Sequence, residues 1–351
     1  MTHRAEDPRP AGATMVDWDL AVRLGAKVAG DGPIVSRDEA RQAVEELRAD
    51  AAKATEFVRA FTGLDAPRDT APVLVVDRRG WIQANADTFA NVISPVVDRI
   101  TAKRPPGVLT QAVGSKISAA EVGGLLGFMS SKILGQFDPF FEPSGRLLLV
   151  APNAVHVERE LGLDPTDFRL WVCLHEETHR VQFTASPWMR DHLFAQIEGL
   201  SDAMDPASLF DGGLQRVTEA LKGDGSIVDA FAKPEQKEII DRVTGMMSLL
   251  EGHADVVMDD VGPGVIPSVT TIRKAFNKRR QGIGVLDRVL RRLLGLEAKM
   301  AQYRDGAKFV RHVVDRVGME EFNAVFAGPD NLPSKAEIVD PDAWVARVLT
   351  A

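Results

Sequence analysis

The residues best suited to chemistry lie in one short stretch, His175-Glu176-Glu177-Thr178-His179, an HExxH pattern. On an α-helix, residues four apart sit one turn up on the same face, their Cβ atoms about 5–6 Å apart. Two imidazoles so placed can reach one Zn²⁺ at about 2.0–2.1 Å each. The glutamate beside the first histidine then projects toward a water on such an ion, where it can take a proton. The pattern points to metal-assisted hydrolysis, with His175 and His179 as ligands and Glu176 as general base. The expected cofactor is Zn²⁺, because this ligand set suits it.

Catalytic zinc usually keeps three protein ligands and one open position. The best source of the third is Leu249-Leu250-Glu251-Gly252-His253-Ala254-Asp255, late in a helix expected to begin near Pro234. Glu251 lies 72 residues beyond His179, far enough for a second helix to return across the first. Glu251 and Asp255 are again four apart. Glu251 is expected to bind the ion while Asp255 accepts the Nδ1–H of a ligand histidine. Carboxylates amid Ile239, Ile240, Val243, Met246, Met247, Val256 and Val257 are costly unless paired or metal-bound. His253 is the rival third ligand, but it sits about 200° around the helix from Glu251, so both cannot face one ion. It is otherwise expected to be packed, or turned to solvent near the cleft, where it is a candidate transition-state stabiliser.

Other residues divide between a chemical and a structural reading. Cys173, two before His175, points to the other side of its helix and reads as a small buried hydrophobe. Glu177 falls about 100° from the base and reads as solvated or salt-bridged. Tyr303, the sole tyrosine, is a candidate donor to a developing oxyanion, with a structural hydrogen bond as the alternative. His192 carries the same two readings. Arg273, Lys274, Lys278, Arg279, Arg280, Arg288, Arg291 and Arg292 form either a solvated face or a surface for an anionic substrate or nucleic acid.

The elements that must position these groups are mostly helical. Ser36 followed by Glu39 is a capping-box pattern opening a long helix. Asp164-Pro165 reads as an N-cap with proline in the first helical position, just ahead of the HExxH segment. Two short apolar runs, Pro72 to Val76 and Arg146 to Val150, are bounded by turn formers and read as strands. The second is a candidate edge strand able to hold an extended peptide by backbone pairing, though its apolar character is equally expected of a buried strand. A short helix is expected from Val155 to Leu161, and breaks at 223–225, 262–264 and 328–329. The fold class is mainly α with a small β-sheet (α+β). Residues 1–13 are expected to be disordered, and 14–351 to form one domain, with 14–70 a helical N-terminal portion and 165–260 the metal-site core.

With both motifs in view, HExxH followed by ExxAD resembles the gluzincin pattern. The chain is similar to the zinicin-like type 2 metallopeptidases, a bacterial family of hydrolases with one branch in organisms that make a deazaflavin coenzyme. The stretches that carry the likeness are LLLVAPNAVHVERELGL, DFRLWVCLHEETHRVQF, LLEGHADVVMDDVG and LLGLEAKMAQYRDGAKFV. The resemblance implies a zincin-like fold, His175, His179 and Glu251 as ligands, Glu176 as base, and a peptide or amide substrate. A catalytically silent zinc-binding scaffold on the same fold is the alternative.

Bulk properties agree. A formal charge of −8 and 45% hydrophobic residues describe an ordinary globular chain and argue against a general nucleic-acid binder. With Cys173 the only cysteine, no intrachain disulfide can form. The amino-terminal residues hold no apolar signal segment, and no run suffices to span a bilayer. The cytoplasm is the expected location, and a membrane is not an expected partner.

Overall fold

The computed structural model describes residues 16–67, 71–103, 108–202, 234–281 and 296–350. In chain order it contains α1 (Trp18–Ala29), α2 (Arg37–Thr62), β1 (Val73–Val76), α3 (Arg78–Lys103), α4 (Val108–Ser130), β2 (Gly135–Asp138), β3 (Arg146–Val150), α5 (Ala151–Leu161), α6 (Pro165–Ala185) and α7 (Trp188–Asp202). After a segment outside the described residues come α8 (Pro234–Asp260), α9 (Val269–Gln281) and α10 (Leu296–Val317), then the short α11 (Met319–Phe322), α12 (Lys335–Val339) and α13 (Pro341–Leu349). The protein is mainly α with a small sheet, as its residue pattern implies. The segment at 1–13 and the break at 223–225 lie outside the described residues.

Two compact units are distinguished. One is formed by α1, α3 and α4; the other contains α2, the sheet and every element from α5 onward. In the first, Arg78 at the start of α3 donates from Nη1 to the last carbonyl of α1, at Ala29 (2.8 Å). All candidate chemistry lies in the second.

The sheet of that second unit runs in the order β1-β3-β2. β3 pairs in parallel with β1, Val73 opposite Leu147, and antiparallel with β2, Gly135 opposite Leu149. All five β3 residues are buried, as an unalternating Arg-Leu-Leu-Leu-Val run requires when both faces are covered. A buried pair, Arg146 Nε to Asp138 Oδ2 at 3.0 Å, closes one end of the β2–β3 ladder. Of the two readings of β3, the edge strand is therefore corrected and the buried strand holds. Both of its sides are already occupied by neighbours, and the margins of the described sheet are β1 and β2.

The helix carrying HExxH forms where the sequence signals it. Asp164 accepts from the Asp167 amide (3.0 Å), and Pro165, with no N–H to satisfy, occupies the first turn. Phe168, Trp171, Cys173 and Leu174 are buried along α6. Each large apolar side chain so buried contributes about 1.5–3 kcal/mol. α2 lies along one side of α6, where Cys173 Sγ reaches the Leu47 carbonyl at 3.7 Å. On another side α8 packs against both α6 and α10. The α8–α10 crossing is very close, since a Cβ at Gly252 would stand 2.1 Å from the Gly306 carbonyl carbon. Glycine at both positions lets the backbones meet, which seats α8, and with it Glu251, against α6.

Candidate metal centre

Two turns of helix bring three ligand-type atoms together. His175 Nε2 and His179 Nε2 are 3.3 Å apart, and each is 3.5 Å from Glu251 Oε2. Four ligands arranged tetrahedrally at about 2.0–2.1 Å from zinc stand about 3.3–3.4 Å from one another. The triangle has that edge length, so the three side chains fit a zinc ion. Among the described residues, these are the His, Cys, Asp and Glu groups that converge in a manner able to hold a metal.

The electrostatics follow from concentrating these groups away from water. Burial opposes the charge on Glu251, but hydrogen bonds from His175 and His179 outweigh it and hold the carboxyl well below its ordinary pKa. Burial likewise opposes a charged His179, yet the Glu251 carboxylate raises that ring's pKa above its usual value. In physical terms the carboxylate stays ionised and attracts positive charge into the triangle.

The residue between the histidines is also in place. Glu176 is almost fully buried and presses against β2. A Cβ at Gly135 would stand 2.5 Å from Glu176 Cγ and 2.7 Å from Cδ. Gly135 thus makes room for this carboxylate. Nothing in the local sequence marks Gly135, because β2 has no alternating apolar pattern; its pairing with β3 makes it a strand.

Sequence reasoning also missed Gln182, which is completely buried one turn beyond His179. Its Oε1 is 3.0 Å from His179 Nδ1, and its Nε2 is 3.1 Å from the Leu250 carbonyl and 3.0 Å from His253 Nδ1. The available signal was a polar side chain three residues past a candidate ligand histidine, on the same helical face.

The profile of the zincin-like metallopeptidases matches residues 16–345. The chain belongs to the zincin-like metallopeptidase family. A crystal structure of a proposed hydrolase with a novel fold, from Chloroflexus aurantiacus, is similar to this zincin-like chain at 29% identity. The match covers 96% of this chain and 99% of that one, with a TM-score of 0.71. No curated protein matches.

Other candidates of the zincin-like chain fall to either side of the site. His253 is fully buried, packed between Phe322 and Phe326 with ring centroids 5.4 Å from each. Burial, with the nearby His179, pushes its pKa down to about 3. Asp255 corrects the expectation placed on it. Its Oδ1 accepts from Arg273 Nη1 at 2.7 Å, while Arg273 also pairs with Asp259 at 2.8 Å. The returning α9 delivers that arginine, and the partner of His179 Nδ1 is Gln182. Cys173 is buried as a small apolar residue, and burial lifts its thiol pKa well above the ordinary range.

Glu177 is buried and salt-bridged, with Arg180 Nε at 2.7 Å and the Thr55 hydroxyl at 3.2 Å. Arg180 reaches on to the Ala71 carbonyl at 3.0 Å, tying α6 to α2 and to the approach to β1. His192 packs edge-on to Trp188, ring centroids 6.0 Å apart. Tyr303 falls within α10, but its side chain lies outside the described residues, as do the side chains of Arg280, Arg288, Arg291 and Arg292.

Two arginines of the described part of the basic cluster are paired. Arg273 is held as above, and Arg279 Nε meets Glu160 at 3.0 Å. A 640 Å³ cleft beside it is lined by Asp259 and Asp260 as well as Arg273, Lys274, Lys278 and Arg311. Among the described residues, no helix is long and apolar enough to cross a membrane.

Proposed function

We propose that this protein is a zinc-dependent hydrolase acting on a peptide or other amide bond. The observation that carries this reading is the His175–His179–Glu251 triangle with Glu176 one residue from its first member. A zinc ion held by these three side chains supplies Lewis acidity toward a substrate carbonyl and makes water a stronger acid. Glu176 takes the proton from the attacking water and returns it to the leaving nitrogen. The near-complete burial of Glu176 and the contact with Gly135 limit the side chain's freedom, which favours proton transfer at a fixed position. Membership of a metallopeptidase family supports an amide substrate, and likeness to a proposed hydrolase supports hydrolysis.

The test is Glu176→Gln, assayed against a broad library of quenched peptides with metal content measured in parallel. The variant is expected to retain zinc and to lose activity by about 10²–10⁴. Full activity in the variant rejects Glu176 as base. A wild type that binds one zinc tightly and cleaves nothing across the library favours the silent scaffold.

A further inference from the structure

We propose that Gln182 is a positioning residue, conveying the polarity of the Leu250 carbonyl to His179 so that this ring presents Nε2 to the ligand triangle. The inference rests on the reading of His175, His179 and Glu251 as metal ligands and adds the device that orients one of them.

A primary amide has one end that only accepts and one that only donates, and its orientation is set by the least adaptable neighbour. Here that neighbour is a main-chain carbonyl. Leu250 O lies 3.1 Å from one end of the Gln182 side chain. A carbonyl oxygen can only accept, so the end facing it is the NH₂. The opposite end, 3.0 Å from His179 Nδ1, is therefore the oxygen. An oxygen there requires a hydrogen on His179 Nδ1, so that in the neutral, metal-binding form of the ring the lone pair is on Nε2, the atom 3.5 Å from Glu251 Oε2.

The second NH₂ hydrogen points to His253 Nδ1 at 3.0 Å, which must accept it. His253 is thus the opposite tautomer, carrying its hydrogen on Nε2. Turning the amide round would set oxygen against oxygen at Leu250, in a position with no exposure to water. A buried clash of acceptors leaves both unsatisfied, so one orientation is selected.

The arrangement also links the two halves of the site. Leu250 is the peptide neighbour of Glu251, so one turn of α8 supplies a ligand and, through Gln182, orients a ligand on α6. Removing a hydrogen-bond partner from a metal-binding histidine typically costs about 10- to 100-fold in metal affinity.

The experiment compares zinc dissociation constants of full-length wild type, Gln182→Leu and Gln182→Glu, each with its thermal melt. A carboxylate keeps the acceptor for His179 but cannot donate to Leu250; leucine provides neither. Gln182→Leu is expected to bind zinc about 10- to 100-fold more weakly, and Gln182→Glu to recover most of that loss although its melt is lowered too. Unchanged affinity in Gln182→Leu, or a Gln182→Glu no better than Gln182→Leu, overturns the proposal, the second outcome leaving only a helix-docking role.

Ring-nitrogen NMR of wild type needs no variant to fold. A hydrogen on His253 Nε2 is expected, and one on Nδ1 means the amide is reversed and overturns the proposal. If His175→Ala abolishes zinc binding while Gln182→Leu does not, the metal site stands and the positioning role alone falls. If wild type takes up no zinc, the metal site fails, and the ring spectra decide the amide orientation separately.

Discussion

Gly135 and Glu176 share a space that holds only one side chain. A methyl group at 135 would come within 2.5 Å of Glu176 Cγ and 3.0 Å of its Oε1. The flattest residue of β2 therefore sets where the proposed base can rest. Gly135→Ala is expected to push Glu176 aside and lower kcat/KM by about 10²-fold or more, toward the level of Glu176→Gln. Zinc content should be unchanged, because the three atoms nearest the new methyl all belong to Glu176 rather than to a proposed ligand. Peptide kinetics beside metal analysis check this, and near-normal turnover means the carboxylate has room to spare.

Zinc should stabilise the chain through Glu251. A ligand that binds only the folded state adds about 4 kcal/mol at a thousandfold excess over its dissociation constant. Chelation is expected to lower the melting temperature of wild type and to leave that of Glu251→Ala unmoved. The comparison is made by calorimetry with and without chelator. An equal drop in both proteins removes Glu251 from the ligand set.

Arg273 holds two carboxylates of α8, Asp255 and Asp259, and its guanidinium stacks over Trp171 at 5.2 Å. Arg273→Met removes the cation from Asp255 and leaves Asp259 with the more distant Arg311 at 3.9 Å, and is expected to cost about 3–5 kcal/mol in urea unfolding. Asp255→Asn should cost less and should leave zinc affinity unaltered, since its partner is this arginine. A tenfold weaker affinity in Asp255→Asn would restore Asp255 to the support of the histidines.

Glu337 gives a pH dependence of known sign. Burial opposes its charge, but hydrogen bonds from Arg347 and from Ser334 outweigh that and depress its pKa below the ordinary 4.5. A depressed carboxyl favours the folded state above the unfolded-state value, and that contribution vanishes as pH falls through the lowered folded-state value. Glu337→Gln, which weakens the capping box at Ser334 and the bonds to Arg347, is expected to cost about 1–3 kcal/mol at neutral pH. The gap between wild type and variant should close at strongly acid pH. Unfolding curves at the two pH values measure it, and a gap independent of pH contradicts the assignment.

Much of the site was legible because its information is local. The four-residue spacings within HExxH and ExxAD, the Asp164-Pro165 helix start and the unbroken apolar run of β3 each depend on the chain's own periodicity. The limits of legibility have the same origin. The unalternating run of β3 fits an edge strand and a buried strand equally, and only its pairing on both sides decides for the second. β2 could not be read at all, for Gly135-Gln136-Phe137-Asp138 becomes a strand only through hydrogen bonds to Leu147 and its neighbours. Asp255 was matched to a histidine because i,i+4 spacing places it near Glu251, but it says nothing of what α9 brings across.

By itself, then, local spacing in the sequence determines which residues can share a helical face, and so makes His175 and His179 candidate ligands, Glu176 the proposed base beside them and Glu251 the candidate carboxylate. Tertiary structure alone decided which faces meet: that Glu251 closes the triangle, that Gly135 abuts Glu176, that Arg273 claims Asp255, and that Gln182 lies between His179 and the Leu250 carbonyl. The reason is physical. Spacing along a helix is set by backbone hydrogen bonds between near neighbours, whereas the partner of a buried polar group is set by packing between segments remote in the chain.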